Sequence, residues 1–243
     1  MATVLSETRS EKKVLDHRAC HTVLVVAITP RLPDQCIDLD GIRKNVDFLV
    51  GSGVDFIMPQ CGTGLVYDST LEEFETVVGA FMDAAGDAAL VAPGIGPGYG
   101  RSLEMGRIAH SLGVAGVMIM PIVGPASDRG TYHGLKSISE TVGLPIVLYQ
   151  RRLDIMPVGD VVKLCELDEV VGLKYAVEDL DAFCRIRDGA GEQAAMVCGM
   201  AEDPCIDYME QGAVGLATGL SYHPHAWSDT KEIVECLDFT DHD

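Results

Sequence analysis

Eight short β-like apolar runs, each followed by an amphipathic helix-like stretch, predict an α/β protein of the (β/α)8 TIM-barrel class. Strands separated by helices pair in parallel through right-handed crossovers, and an open doubly wound sheet usually stops at five or six strands. No linker rich in Pro, Ser or charge interrupts the alternation, and no low-complexity segment divides it. The reading is therefore a polar N-terminal tail over residues 1–20 and a single barrel domain over residues 21–243.

Taken in order, the first strand is expected over Thr22–Thr29 and the first helix over Leu39–Val50, with Asp38 or Asp40 as its N-cap. Val54–Gln60 is the second strand. The helix over Thr70–Ala85 has Ser69 or Thr70 as cap and Glu72 and Glu73 in its first turn, where carboxylates favour the helix dipole. Ala89–Gly94 and Arg101–Leu112 form the third unit, Ala115–Met120 and Thr131–Val142 the fourth, Leu144–Tyr149 and Val158–Leu167 the fifth. Val170–Lys174 with Val177–Asp188, Ala195–Gly199 with Glu202–Gln211, and Ala213–Thr218 with an amphipathic Pro224–Leu237 complete the count.

The 243 residues are 47% hydrophobic and 23% charged, with a net charge of −19. Such an acidic balance argues against nucleic acid and anionic membrane surfaces as partners. An acidic substrate would need a local positive patch. Eight cysteines are scattered through apolar segments with no CxxC pair and no zinc-like spacing. They read as small buried thiols in a reducing cytoplasm. Residues Met1–Cys20 lack the apolar stretch of a signal peptide, and no apolar run approaches the ~20 residues that span a bilayer. A soluble, cytoplasmic protein is expected.

Active sites of such barrels lie at the C-terminal ends of the strands. The sixth strand ends on Lys174, after Val170-Val171-Gly172-Leu173, while Lys12, Lys13, Lys44, Lys136, Lys163 and Lys231 lie in the tail or on helix-like segments. Burying an ammonium is costly, desolvation disfavours its charged form, and a neutral amine attacks carbonyl carbon to form a Schiff base. The bland alternative is a lysine whose head snorkels to water. The adjacent fifth strand ends at Tyr149-Gln150-Arg151-Arg152. Tyr149 could relay protons, and Arg151 and Arg152 could bind a carboxylate or hydroxyls bidentately. Across the mouth, Gly62-Thr63-Gly64 would offer backbone N–H groups and one hydroxyl to a carboxylate. Each element alone is common. Together they supply an amine nucleophile, a proton shuttle and an anion cradle.

These residues resemble the dihydrodipicolinate synthase/N-acetylneuraminate lyase superfamily of Schiff-base aldolases and lyases, from about Val23 to Gly219. The segments that carry the likeness are Gly62-Thr63-Gly64 with Ser69-Thr70-Leu71-Glu72-Glu73-Phe74, then Ile146-Val147-Leu148-Tyr149, Val171-Gly172-Leu173-Lys174 and Gln211-Gly212-Ala213-Val214-Gly215-Leu216. The resemblance implies a Schiff base between Lys174 and a 2-oxo acid such as pyruvate, proton handling by Tyr149, carboxylate binding at the Gly-Thr turn, no cofactor, and a homodimer or homotetramer. Leu65 stands where the family carries glutamate, and Gln150-Arg151-Arg152 is closer to the 5-dehydro-4-deoxyglucarate dehydratase branch than to the synthases. The tyrosine that synthases lend from the loop after the fourth strand is absent from Pro121-Ile122-Val123-Gly124-Pro125. The helices that usually follow the eighth strand are largely missing. The expected activity is a lyase, aldolase or dehydratase, on a 2-oxo acid or keto-deoxy sugar acid. A synthase-type condensation of pyruvate with an aldehyde, a barrel that only binds a small acid, and a metal-dependent lyase using Glu202, Asp203, His223 and His225 are the alternatives.

Gly94-Ile95-Gly96-Pro97-Gly98-Tyr99-Gly100 lacks nucleotide-loop spacing and reads as a strand-to-helix turn. Without a neighbouring base, Cys61 and Cys198 read as packing residues.

Overall fold

The computed structural model describes residues 14–122, 124–200 and 204–219. Its strands run parallel: β1 (Val23–Val26), β2 (Phe56–Met58), β3 (Leu90–Val91), β4 (Gly94–Ile95), β5 (Val117–Ile119), β6 (Ile146–Gln150), β7 (Val170–Tyr175), β8 (Ala195–Cys198) and β9 (Gly215–Thr218). Their order is β3-β2-β1-β9-β8-β7-β6-β5-β4. β3 and β4 are halves of the one expected third strand, broken at Pro93, which has no N–H to give a ladder. Because β3 pairs with β2 and β4 with β5, the sheet closes on itself as the expected (β/α)8 barrel. The Met118 amide donates to Pro93 O at 2.9 Å and helps to bridge the break.

Helices α1 (Leu39–Gly51), α2 (Leu71–Ala85), α3 (Tyr99–Leu112), α4 (Asp128–Val142), α5 (Val158–Cys165), α6 (Leu180–Ala190) and α7 (Cys205–Glu210) alternate with the strands. Caps set their starts. Asp38, not Asp40, caps α1 by accepting from the Gly41 amide at 2.9 Å. Thr70 and Glu73 form a reciprocal capping box on α2. Ser127 accepts from Gly130 and starts α4 three residues before the expected Thr131. Asp179 accepts from Ala182 and starts α6 three residues after the expected Val177. The segment Gly94–Gly100 is the strand-to-helix turn expected of it. The tail to Lys13, Val123, Glu202, Asp203, the histidines at 223 and 225, and the expected helix over Pro224–Leu237 lie outside the described residues.

Alternation along the strands sends one set of side chains inward and the other under the helices. On β1, Val23 and Val25 pack with Ile42, Val46, Leu49, Val77 and Phe81, whereas Leu24 and Val26 belong with Phe56 and Met58 in the larger core. At the base the Leu15 amide donates to Ala115 O at 2.9 Å. There Gly116 leaves space for Leu15, and Gly172 for the Cys20 thiol. Leu15 and Cys20 thus fill the barrel from below.

Candidate active site

β7 carries one extra residue against β6: Ile146 pairs with Val170, but Val147 already pairs with Gly172. This bulge brings Tyr149 level with Lys174, and Lys174 is level with Val197 on the other side. Lys174 is 6% exposed. Its Nζ lies 4.3 Å from the Tyr149 ring centroid, and no ion pair to it occurs among the described residues. Room for its stem comes from Gly199, where a Cβ would approach Lys174 Cγ to 2.8 Å and Cε to 2.9 Å.

Behind Tyr149, Arg151 Nη1 donates to the phenol oxygen at 2.9 Å. Arg152 turns away and grips the Asp154 carboxylate through Nε at 3.0 Å, holding that carboxyl below the usual carboxylate range. Of the two arginines, Arg151 faces the phenol and Arg152 is engaged in its own loop. Gln150 points out of the barrel and is fully buried. Its Nε2 donates to Met156 O at 2.7 Å and anchors the loop between β6 and α5. Gln150 Oε1 and Thr131 Oγ1 have no partner, and both residues line a cavity of about 20 Å3 between β6 and α4.

The turn after β2 is held on both sides. Thr29 Oγ1 donates to Gly64 O at 2.7 Å, and the Leu65 amide donates to Gly62 O at 3.1 Å. Gly64 is obligatory, since a Cβ there would sit 2.8 Å from both Ala27 O and Gln60 N. Gln60 and Leu65 flank the turn with φ of 55° and 57°, a left-handed conformation that non-glycine residues adopt at a cost. The amides of Gly62, Thr63 and Gly64 donate to no acceptor among the described residues, so they are free to bind an anion. Thr63 Oγ1 abuts Gly219 beyond β9, where an added Cβ would lie 2.7 Å from it.

Cys61 sits beneath this turn with its thiol pushed up to about 12, first by burial, while Lys174 pulls the other way. The opposing effect places the thiol within electrostatic reach of the amine. Sequence reasoning passed over Tyr67 and Arg101. The Tyr67 phenol is raised first by burial and next by Tyr149, with Arg151 opposing. Arg101 Nη2 donates to Val66 O at 2.8 Å and Ser69 O at 2.7 Å, on either side of Tyr67. No short-range signal marks this role of Arg101, because the two loop carbonyls it holds lie 32 and 35 residues away.

Among the described residues, no group of three His, Cys, Asp or Glu side chains is arranged to hold a metal, and no helix is long and apolar enough to cross a membrane.

Fold and candidate site together define an eight-unit α/β barrel with a buried lysine against a phenol at its mouth. The chain belongs to the dihydrodipicolinate synthetase family, whose sequence pattern matches residues 19–237. It is 26% identical over 193 residues to a probable 5-dehydro-4-deoxyglucarate dehydratase of Bacillus subtilis (strain 168), covering 78% of this chain and 63% of that protein. It is 32% identical to a probable 5-dehydro-4-deoxyglucarate dehydratase of Streptomyces coelicolor, covering 67% of this chain and 52% of that protein. The crystal structure of dihydrodipicolinate synthase from Bacillus clausii superposes with a TM-score of 0.86 at 31% identity, covering 91% of this chain and 76% of that one. The chain thus spans between about half and two thirds of these two curated relatives' length.

Proposed function

We propose that this barrel is a Schiff-base lyase, aldolase or dehydratase, acting on a 2-oxo acid such as pyruvate or a keto-deoxy sugar acid. The observation that carries the reading is Lys174, buried at a strand C-terminus against the Tyr149 ring with no carboxylate paired to it among the described residues. In this scheme the substrate carboxylate rests on the free amides of Gly62, Thr63 and Gly64 with the Thr63 hydroxyl. The Lys174 amine adds to the keto carbon, and the carbinolamine loses water to leave an iminium. The iminium is the electron sink. When the hydroxyl on the carbon β to the imine loses its proton, the bond between the α and β carbons breaks, its electron pair passing to the iminium, to give an aldehyde and an enamine. Alternatively, loss of a proton from the carbon next to the imine and of hydroxide from the following carbon gives the dehydrated product. Tyr149 exchanges the proton in either case, and Arg151, hydrogen-bonded to it, stabilises its anion.

The same enamine serves the reverse direction, so synthase-type condensation of pyruvate with an aldehyde is the alternative chemistry. The names of the relatives favour dehydration. Leu65, 48% exposed where the family has glutamate, motivates a second reading in which the barrel binds an acid without turning it over. Assembly into a dimer or tetramer and a cytoplasmic location belong to the first reading by the same family likeness. Borohydride reduction in the presence of pyruvate tests it. A pyruvyl adduct on Lys174, located by peptide mass spectrometry, is expected; an adduct elsewhere, or none, discards the mechanism. Steady release of product from a keto-deoxy sugar acid excludes the binding-only reading.

A further inference from the structure

Thr29 and Gln60 meet against the Gly62–Gly64 turn. Gln60 Nε2 donates to Thr29 Oγ1 at 3.0 Å, and Thr29 Oγ1 donates to Gly64 O at 2.7 Å. A threonine hydroxyl has one proton, and here the Gly64 carbonyl takes it, so the relay runs only from the Gln60 amide through the hydroxyl to the turn. Its target is a peptide plane held at both edges. Gly64 O is one edge; at the other, the Leu65 amide donates to Gly62 O at 3.1 Å and closes the turn around Thr63 and Gly64. Gln60 is fully buried, lies in the left-handed region at φ 55°, and its Oε1 has no partner among the described residues. A buried amide left half satisfied on strained backbone is unfavourable for the fold, and such features collect where a site demands them. The loop that brings Thr29, residues 27–38, also grips the far end of the segment after β2. Arg31 Nη1 donates to Glu73 Oε1 at 2.6 Å, and Glu73 Oε2 accepts from the Thr70 amide at 3.1 Å. One bracket thus fastens both ends of the segment that carries the turn.

We infer that Thr29 and Gln60 are positioning residues for the carboxylate of a 2-oxo acid: they set the Gly64–Leu65 peptide plane, and through it the direction in which the Thr63 and Gly64 amides point. This rests on the proposed seating of the carboxylate on that turn and adds what keeps the turn in shape before the acid arrives. Amides fixed in advance bind an anion without reorganising. A loosened turn therefore loses affinity for carboxylate and leaves the Lys174 amine as reactive as before. Thr29 bonds the turn itself, whereas Gln60 acts only through Thr29, by holding its hydroxyl in place.

The test uses the full chain with Thr29→Val, Thr29→Ser, Gln60→Met and the double variant of Thr29→Val with Gln60→Met. Two ketones are compared: pyruvate, and acetone, in which a methyl group replaces the carboxylate. The readout is borohydride trapping on Lys174 as a function of ketone concentration. In Thr29→Val the half-saturating pyruvate concentration is expected to rise about tenfold, the scale of one hydrogen bond. The saturating rate and the response to acetone stay within about twofold, since only carboxylate binding is touched. Thr29→Ser, which keeps the hydroxyl, restores the wild-type pyruvate value. Gln60→Met raises that value about threefold with no loss in thermal midpoint, because the unpaired Oε1 leaves together with the donor. The double variant matches Thr29→Val alone, because Gln60 works through Thr29. Equal losses for pyruvate and acetone, no change for either, no recovery in Thr29→Ser, or a double variant whose loss is the product of the two singles overturns the proposal. If Thr29→Val does not fold, Gln60→Met against wild type makes the same comparison of the two ketones. A wild type that traps acetone at the same concentration as pyruvate discards the carboxylate seat and the proposal with it. A wild type that traps neither discards the imine, and calorimetric affinity for pyruvate in the same variants then decides by the same ratios.

Discussion

At the scale of single residues, Gly199 has no room to be anything larger. A methyl group there would press on the stem of Lys174 rather than on backbone, so the flexible side chain must yield. Gly199→Ala is therefore expected to leave the fold standing while moving the amine: thermal midpoint nearly unchanged, rate of pyruvate trapping down by about tenfold or more. Tyr149→Phe keeps the ring beside Nζ and removes the hydroxyl. Adduct formation should survive, and turnover should drop on the order of a hundredfold, as for loss of a proton-transfer group. Lys174→Met should abolish the adduct altogether. The identities of Lys174, Tyr149 and the Gly62–Gly64 turn could be picked out from the string because each stands at the end of an apolar run. Tyr67 stands in a loop whose Val66 and Ser69 carbonyls are held by Arg101 from α3, so nothing adjacent in sequence announces it.

Among the elements, α2 offers the sharpest measurement. Its capping box satisfies two orphan amides, and Glu73 also takes a bond from Arg31 at 2.6 Å. Thr70→Ala should cost about 1 kcal/mol. For a domain of this size that is roughly 2–4 °C in Tm, readable by scanning calorimetry. The loop behind Tyr149 depends on Gln150 in the same way. Gln150→Leu leaves Met156 O without its donor and should raise KM for an oxygenated acid through a loosened Arg151. In the wild type, the paired orphan atoms of Gln150 and Thr131 call for one ordered water in a high-resolution structure, because a cavity of that size and polarity holds a single molecule. Helices were legible in the sequence from their apolar spacing, but their first residues were not. The side chains of Ser127 and Asp179 moved the starts of α4 and α6, and capping is settled by one hydrogen bond rather than by periodicity.

For the molecule as a whole, the alternation of apolar runs and helices was enough to anticipate a closed barrel, and the strand order then followed from parallel crossovers. The bulge between Ile146 and Val147 was not legible, because it changes register without changing composition. It matters, since it sets which β7 residue stands level with Tyr149. Burial of thiols throughout the barrel also has a global consequence. Cys20, Cys61 and Cys165 are each pushed from 9.0 up to about 12, mainly by desolvation. A folded value above the unfolded one favours the folded chain while the thiols stay protonated, so that contribution is complete below pH 9.0 and is lost as pH climbs from there towards 12. Urea midpoints should accordingly fall between about pH 9 and pH 11. Substituting Cys61 by Ala should flatten part of that decline.

Pro93 has a further effect on the way the cylinder breathes. With one strand shared as two dipeptide halves between its neighbours, the wall is thinnest along a single line from Val91 to Gly94. Deuterium uptake at the Ala92, Gly94 and Met118 amides should outpace that of β6 and β7, whose mutual ladder is the longest in the sheet. If the cylinder loosens before it unfolds, it unzips there, on the side away from the lysine.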